Sequence, residues 1–126
     1  KAPRLVFCSG KIYYELRERL QSNARRDTAL VRLEQLYPFP EDALRGALSR
    51  YTQARDIFWV QEEPENMGAW RFVHPRLAAL LDRSLRYVGR PPAASPATGF
   101  PKIYRRQQEA IIAAAAGSQE ADRAAG

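Results

Sequence analysis

The run of four large apolar residues at positions 57–60, IFWV, constrains the fold of this chain more than any other stretch. Because no polar residue alternates with them, both faces of a strand there must be buried, as in the centre of a parallel sheet. Further strands are predicted at residues 4–9, 29–33 and 85–88. Segments with apolar residues at helical spacing separate the strands. This order predicts an α/β fold with a mostly parallel sheet covered by helices on both faces.

The helices predicted between and after these strands cover residues 11–25, 68–81 and 101–116, and a further helix starts at Pro40. Ser9 is expected to cap the first helix, and Pro75 is expected to kink or divide the third. Residues 1–116 are predicted to form one domain. The chain opens at Lys1 without a methionine, as expected of a portion of a longer polypeptide. The small and polar residues 117–126 are predicted to be a flexible tail.

Right-handed crossovers favour the flavodoxin-like strand order 2-1-3-4. In that order the first and third strands are neighbours, and ligands or partners meet such sheets at the carboxyl ends of the strands. The turn Ser9-Gly10-Lys11 is therefore predicted to lie close to Gln61, Glu62 and Glu63, about fifty residues later in the sequence. We expect Lys11 to form an ion pair with one of these two glutamates.

The turn Ser9-Gly10-Lys11 has two interpretations. Its amide groups and its lysine can hold an anion at a helix amino end, or it can be a simple connection into the helix. The turn lacks the GxxxxGKS and GxGxxG patterns that make phosphate loops specific. The carboxylates of Glu62 and Glu63 point to opposite sides of an extended strand end, so they do not suit acid and base catalysis on one substrate. The inward one must be paired, which favours an ion pair or an interface role.

Other candidates for chemistry are isolated. Cys8 lies in an apolar run and is predicted to be a buried, unreactive thiol. His74 is the only histidine, so neither a metal site nor a catalytic base is expected there. No nucleophile elbow is present, and no active site can be assembled from this sequence. The tryptophans Trp59 and Trp70 are predicted to be core or contact residues.

A net charge of +6 and a pI near 9.9 are compatible with nucleic acid or an acidic protein as a partner. The arginines are spread along the chain without interleaved aromatic residues, so we expect no nucleic-acid partner. No apolar run approaches the roughly 20 residues that span a bilayer, and no membrane partner is expected.

Four strings occur in the order LVFCSGKIYYEL, ALVRLEQLYPFP, FWVQEEPENMGAW and RYVGRPPAASPATG. Together they resemble the carboxyl-terminal domain of the thiamine-dependent first component of the 2-oxoglutarate dehydrogenase complex. The resemblance implies a three-layer α/β/α domain of the transketolase carboxyl-terminal type. It also implies a further antiparallel edge strand, contributed by sequence before Lys1. It gives an interface or structural role to the matched residues Glu62, Glu63, Asn66, Gly68 and Trp70.

The resemblance implies that the full-length enzyme is an oxidoreductase of the citric acid cycle. That enzyme decarboxylates 2-oxoglutarate on thiamine diphosphate with magnesium and passes the succinyl group to a lipoyl-bearing succinyltransferase. It would work as a homodimer in the cytoplasm, or in the mitochondrial matrix of a eukaryote. The resemblance gives this domain a non-catalytic role in dimer assembly or regulation. This chain has no Gly-Asp-Gly thiamine motif, so we expect it to bind no cofactor and to be inactive alone.

Some relatives in that family bind acetyl-CoA with a glutamine that matches Gln35 and two arginines that correspond to Asp42 and Ala43 here. These two residues cannot neutralise phosphate charge, so Gln35 is interpreted as a vestigial effector residue. Two alternatives remain for the whole chain. It can be a free-standing flavodoxin-like module that binds a phosphate or acyl-CoA ligand, or, from its charge alone, a basic nucleic-acid-binding domain.

Overall fold

Strands and helices alternate along the chain as predicted. The structure, a computed structural model, describes residues 3–34, 36–51, 54–92 and 101–117. The strands are β1 (Arg4–Cys8), β2 (Thr28–Arg32), β3 (Asp56–Pro64) and β4 (Arg86–Arg90). The helices are α1 (Ile12–Ser22), α2 (Glu41–Leu48), α3 (Trp70–Leu81) and α4 (Pro101–Ala116), and a 3-10 turn at Ser49–Tyr51 follows α2.

The four strands form one parallel sheet in the order β2-β1-β3-β4, which confirms the predicted order. Arg4 on β1 stands opposite Thr28 on β2 and Asp56 on β3, so the strand starts are level. Helices α1 and α4 pack on one face of the sheet, and α2 and α3 pack on the other. The predicted α/β architecture is therefore confirmed.

Alternating side chains of the central strands supply two separate cores. On β3, Ile57 and Trp59 join the core under α2 and α3, whereas Phe58 and Val60 join the core under α1 and α4. All four are at most 8% exposed, as the apolar run predicted. The stripe of Ile12, Leu16 and Leu20 on α1 is also buried, so the face that this helix turns to the sheet was predicted correctly. Among the described residues β2 is an edge strand, and its five residues are all partly exposed.

Two local predictions are wrong. The third strand does not end at Val60 but continues to Pro64, so Glu62 and Glu63 lie inside β3. Ser9 does not cap α1, because the helix begins only at Ile12 and its N-cap position is Lys11, without a side-chain capping bond. Pro75 was expected to kink or divide the third helix; α3 runs without a break from Trp70 to Leu81, so Pro75 does not divide it.

The helix α3 accommodates Pro75 on its exposed side. A proline removes one backbone donor from a helix and crowds the preceding turn. In that turn the carbonyl of Phe72 accepts a hydrogen bond from the Arg76 side chain at 2.7 Å. In the part of the chain that the structure describes, no helix is both long and apolar enough to cross a bilayer.

Candidate functional site

The carboxyl ends of β1, β3 and β4 form one edge of the molecule, and the predicted site residues lie there. The centre of this edge is Gln61, which the sequence analysis did not place among the site residues. Its side chain is only 3% exposed. A buried amide costs free energy unless its donors and acceptor are satisfied, so its partners define the local structure.

Both the oxygen and the nitrogen of the Gln61 side-chain amide make hydrogen bonds. Its Oε1 accepts hydrogen bonds from Trp59 Nε1 at 2.9 Å and from the backbone N–H of Trp70 at 3.0 Å. Its Nε2 donates to three carbonyl oxygens, at 3.1 Å on Glu63 and at 2.8 Å on both Pro64 and Met67. We call Gln61 with these five partners the Gln61 clamp. It ties the end of β3 to the turn that follows and to the first residue of α3.

Gly68 and Trp70 complete the turn held by this clamp. Gly68 has a φ of +68°, and a Cβ atom there would lie 3.1 Å from both Gln61 Nε2 and the Glu63 side chain. The turn therefore needs glycine for its backbone conformation and for the space. The Trp70 ring stacks on His74 with 4.4 Å between centroids, so the only histidine is a packing partner of the turn.

A second set of contacts joins the other side of the edge. Lys11 Nζ lies 2.7 Å from Glu62 Oε1, which confirms the predicted ion pair between the first turn and the end of β3. The same oxygen accepts a hydrogen bond from Gln108 Nε2 at 3.0 Å, and that nitrogen also lies 3.2 Å from Glu15 Oε1. The hydrogen bond to Glu62 raises the pKa of Lys11 above its usual value. Glu62 is therefore the inward, paired glutamate, and Glu63 is the exposed one.

Arg90, the last residue of β4, carries this second set of contacts and was also missed by the sequence analysis. It is 5% exposed, and its guanidinium donates to Gln107 Oε1 at 3.0 Å, to Gln108 Oε1 at 3.1 Å and to the carbonyls of Glu62 and Tyr104. It also lies 4.2 Å from the centroid of the Tyr104 ring. We call this set the Arg90 latch; it comprises Lys11, Glu15, Glu62, Arg90, Tyr104, Gln107 and Gln108. It fastens α4 to the sheet.

A shallow cavity opens beside the clamp on the α3 side of the edge. Its volume is about 500 Å³, and Ser9, Leu36, Tyr37, Glu63 and Phe72 contribute to its lining, together with Gln61, Gly68 and Ala69. Tyr37 is 85% exposed. The Glu63 carboxylate makes no hydrogen bond or ion pair with another described residue. The cavity thus combines aromatic surface with one unpaired negative charge.

Comparison with known proteins identifies the family. The sequence profile described as 2-oxoglutarate dehydrogenase C-terminal matches residues 1–116. The chain belongs to this family. It is 45% identical over 117 residues to the 2-oxoglutarate dehydrogenase E1 component of Cupriavidus necator, covering 91% of this chain and 12% of that protein.

Relatives with a second name are equally similar. The 2-oxoadipate dehydrogenase complex component E1 of Rattus norvegicus is 46% identical over 110 residues, covering 86% of this chain and 12% of the relative. The human protein of the same name is 45% identical over 115 residues, with 90% and 12% covered. The chain therefore spans about an eighth of the length of these relatives.

The structure brings most of the predicted site residues to the family domain's carboxyl edge, but not into one group. Ser9, Glu63 and Gly68 line the cavity, whereas Lys11 and Glu62 belong to the latch on the other side. Gly10 has a φ of +81° and starts the turn into α1, and Asn66 is exposed in the turn after β3. Trp70 is 9% exposed and lies beneath that turn. Gln35 lies outside the described residues.

The chemistry available at this edge is limited. Glu62 and Glu63 face opposite sides of β3, so they do not address one substrate together. Burial raises the pKa of the Cys8 thiol to about 12, so the reactive thiolate is scarce near neutral pH. Within the described residues no three His, Cys, Asp or Glu side chains come together in a group fit for a metal ion. The hydrogen bonds at this edge instead fix the positions of the β3–α3 turn and of helix α4.

Proposed function

We propose that this chain is the non-catalytic carboxyl-terminal domain of a 2-oxoglutarate dehydrogenase first component, and that its carboxyl edge serves the assembly of a homodimer. The full-length enzyme would decarboxylate 2-oxoglutarate with thiamine diphosphate and magnesium. It would then transfer the succinyl group to a lipoyl-bearing succinyltransferase, in the cytoplasm or the mitochondrial matrix. The proposal rests first on membership of the family, at 45% identity to an E1 component.

The cofactor does not fit the residues described here. Thiamine diphosphate with magnesium needs oxygen ligands for the ion and donors for the diphosphate. No described group of three acidic or histidine side chains offers the former. The lysine of the Ser9-Gly10-Lys11 turn is already held by Glu62 at 2.7 Å, which also weakens the alternative of a phosphate or acyl-CoA module. We therefore assign the chemistry of the enzyme to the part of the polypeptide outside this chain.

The assembly role is supported by a difference between the inward-facing and the outward-facing groups of the carboxyl edge. The polar groups of the clamp and the latch are satisfied within the domain, whereas the Glu63 carboxylate and the Tyr37 ring face outward beside the cavity. Exposed aromatic surface next to an unpaired charge is typical of the anchor and rim of a protein interface. The domain thus presents a rigid, non-reactive surface to a second copy.

The test is the substitution Glu63→Ala in the full-length enzyme. We expect the dimer dissociation constant, measured by sedimentation equilibrium, to rise about tenfold, which corresponds to about 1.4 kcal/mol. Turnover per dimer, measured at protein concentrations that keep the enzyme dimeric, should stay at the wild-type level. Glu18→Ala removes an equally exposed glutamate from α1 and serves as the matched control. An unchanged dimer, or a lost turnover in an intact dimer, would count against the assembly role.

A further inference from the structure

The edge opposite to the proposed assembly surface, at the amino ends of the strands, is rich in arginine. We call it the arginine edge, and among the described residues it holds seven arginines, Arg4, Arg25, Arg26, Arg50, Arg55, Arg83 and Arg86. The aspartates described at this edge are Asp27, Asp56 and Asp82. Seven positive and three negative groups leave a formal charge of +4, most of the chain's +6. The positive charge is therefore concentrated at one end of the sheet.

Contacts between the strands show that the arginine edge is continuous. The guanidinium of Arg4 donates to Thr28 Oγ1 at 2.9 Å, which joins β1 to β2. Arg4 and Arg86 lie over the same Phe58 ring, at 4.9 and 5.8 Å from its centroid, which joins β1 to β4 across β3. Arg83 donates to the carbonyl of Arg55 at 2.8 Å. All four strand starts thus share one cationic surface.

The aspartates neutralise only part of this surface. Asp27 pairs with Arg25 at 2.7 Å, and Asp56 lies 3.7 Å from Arg86. The exposed side chains of Arg26, Arg50 and Arg55 make no hydrogen bond or ion pair with any described residue.

Helix dipoles account for only one of these three cations. A cation in the last turn of a helix is favourable, and Arg50 has such a place in the turn that follows α2. Arg26 and Arg55 lie in loops beyond any helix. Three guanidinium groups at this edge therefore remain available to a partner.

We propose that the arginine edge is a docking surface for an acidic, Asp- and Glu-rich segment of a partner protein. Planar guanidinium groups pair with carboxylates through two parallel hydrogen bonds, and a patch of charge +4 accelerates the approach of a negative partner. Arg26, Arg50 and Arg55 supply the direct contacts. The dimer contact proposed above lies at the opposite end of the sheet, so the two surfaces can be occupied together.

The surface favours an acidic protein over nucleic acid. Single-stranded nucleic acids need exposed aromatic rings for stacking. Of the two described rings at this edge, Phe58 is 8% exposed beneath Arg4 and Arg86, and Tyr51 is partly buried against the core under α2 and α3. Four strands about 4.8 Å apart give an edge only about 14 Å wide. Strong phosphate-driven binding rests on about 6–10 contacts, more than three free guanidinium groups supply.

The test compares two triple variants of the full-length enzyme. One carries Arg26→Glu, Arg50→Glu and Arg55→Glu. The matched control carries Arg71→Glu, Arg105→Glu and Arg106→Glu, which changes the net charge equally at exposed positions away from this edge. The probe is a fluorescent poly-L-glutamate peptide, with its binding measured by anisotropy at low ionic strength. We expect the wild type and the control to bind it, and the edge variant to bind at least tenfold more weakly.

A third triple variant carries Arg26→Gln, Arg50→Gln and Arg55→Gln. It tests whether weaker peptide binding comes from loss of folding, because glutamine adds no negative charge to the folded protein. We expect this variant to keep the wild-type circular dichroism and melting temperature and still to bind the peptide more weakly. Equal loss of binding in the edge variant and the control would overturn the proposal, and so would a wild type that does not bind. If a single-stranded oligonucleotide of equal length binds more tightly than the peptide, and the edge variant loses this binding, the partner is nucleic acid and the proposal of an acidic protein is overturned.

Discussion

Gln61 and Glu62 are adjacent on β3, yet they organise opposite sides of the same edge by different means. Gln61 faces α3 and holds its turn with a neutral amide that is 3% exposed. Glu62 faces α1 and α4, where it works with Lys11, Gln108 and the buried cation Arg90. One strand end therefore supports a neutral clamp on one side and a charged latch on the other.

The two sides of the edge should therefore respond differently to salt and pH. Hydrogen bonds between neutral buried groups are insensitive to salt and to pH in the neutral range. Contacts between ionised groups, particularly exposed ones, weaken when salt screens them or when one partner loses its charge. The end of β3 that presents Glu63, together with the turn and the cavity beside it, should thus keep its shape under conditions that weaken the exposed contacts of the latch.

The largest effect is expected from breaking the clamp with Gln61→Leu. The substitution leaves Trp59 Nε1, the Trp70 amide and the Met67 carbonyl without their partner, whereas the carbonyls of Glu63 and Pro64 keep hydrogen bonds from the Tyr87 hydroxyl and the Met67 amide. We expect the free energy of unfolding of the 126-residue chain, measured with urea, to fall by about 3 kcal/mol or more.

The matched control for the clamp is Gln21→Leu, at an exposed position of α1, which should change stability by less than about 0.5 kcal/mol. Hydrogen exchange should accelerate in the turn between β3 and α3 in the clamp variant alone. Equal stability of the two variants would show that the buried amide does not organise this edge.

A smaller loss is expected from breaking the latch with Arg90→Met. Methionine keeps much of the buried volume but removes the donors to the carbonyls of Glu62 and Tyr104. The backbone hydrogen bonds of α4 remain, so we expect a loss of about 2 kcal/mol, with faster amide exchange confined to α4. Arg71→Met, at an exposed position of α3, is the control. Faster exchange in the β3–α3 turn would mean that the clamp and the latch are not separate.

The smallest effect is expected from Lys11→Met, because the Lys11 side chain is 74% exposed. The loss should stay below about 1 kcal/mol and vanish in 1 M salt, with Lys102→Met as the exposed control. The pKa of Lys11 is raised in the folded state by the hydrogen bond to Glu62. Its contribution is therefore complete below the unfolded pKa of about 10.4 and is lost as pH rises through the folded value. A difference between wild type and variant that persists in high salt and strong alkali would contradict this assignment.

Much of this fold follows from the sequence, because side-chain periodicity and crossover handedness are local and general rules. The apolar run at residues 57–60 predicted the buried central strand, and the strand order predicted that Lys11 meets the end of β3. The strand nevertheless extends past Val60 to Pro64, since Gln61 is paired by the turn that follows and Glu62 by the distant residues Lys11 and Gln108. Local patterning does not reveal such partners.

Gln61 and Arg90 were missed for the same physical reason. Each is a polar residue at a strand end, a position that is usually exposed, and each is buried here by a segment that follows it, the α3 turn or α4. The one signal in the sequence for Gln61 is its place two residues after Trp59, whose indole N–H needs an acceptor when buried. No comparable signal marks Arg90, because its partners lie on α4, 14 to 18 residues later.

The central claim is that this domain supports an enzyme without carrying its reaction. The most direct measurement is carbon dioxide release from 2-oxoglutarate by the purified chain, with thiamine diphosphate, magnesium and an artificial electron acceptor present. The full-length enzyme serves as the positive control, and circular dichroism establishes that the chain is folded. We expect no release above background from the folded chain. Sustained release that depends on thiamine diphosphate would contradict it.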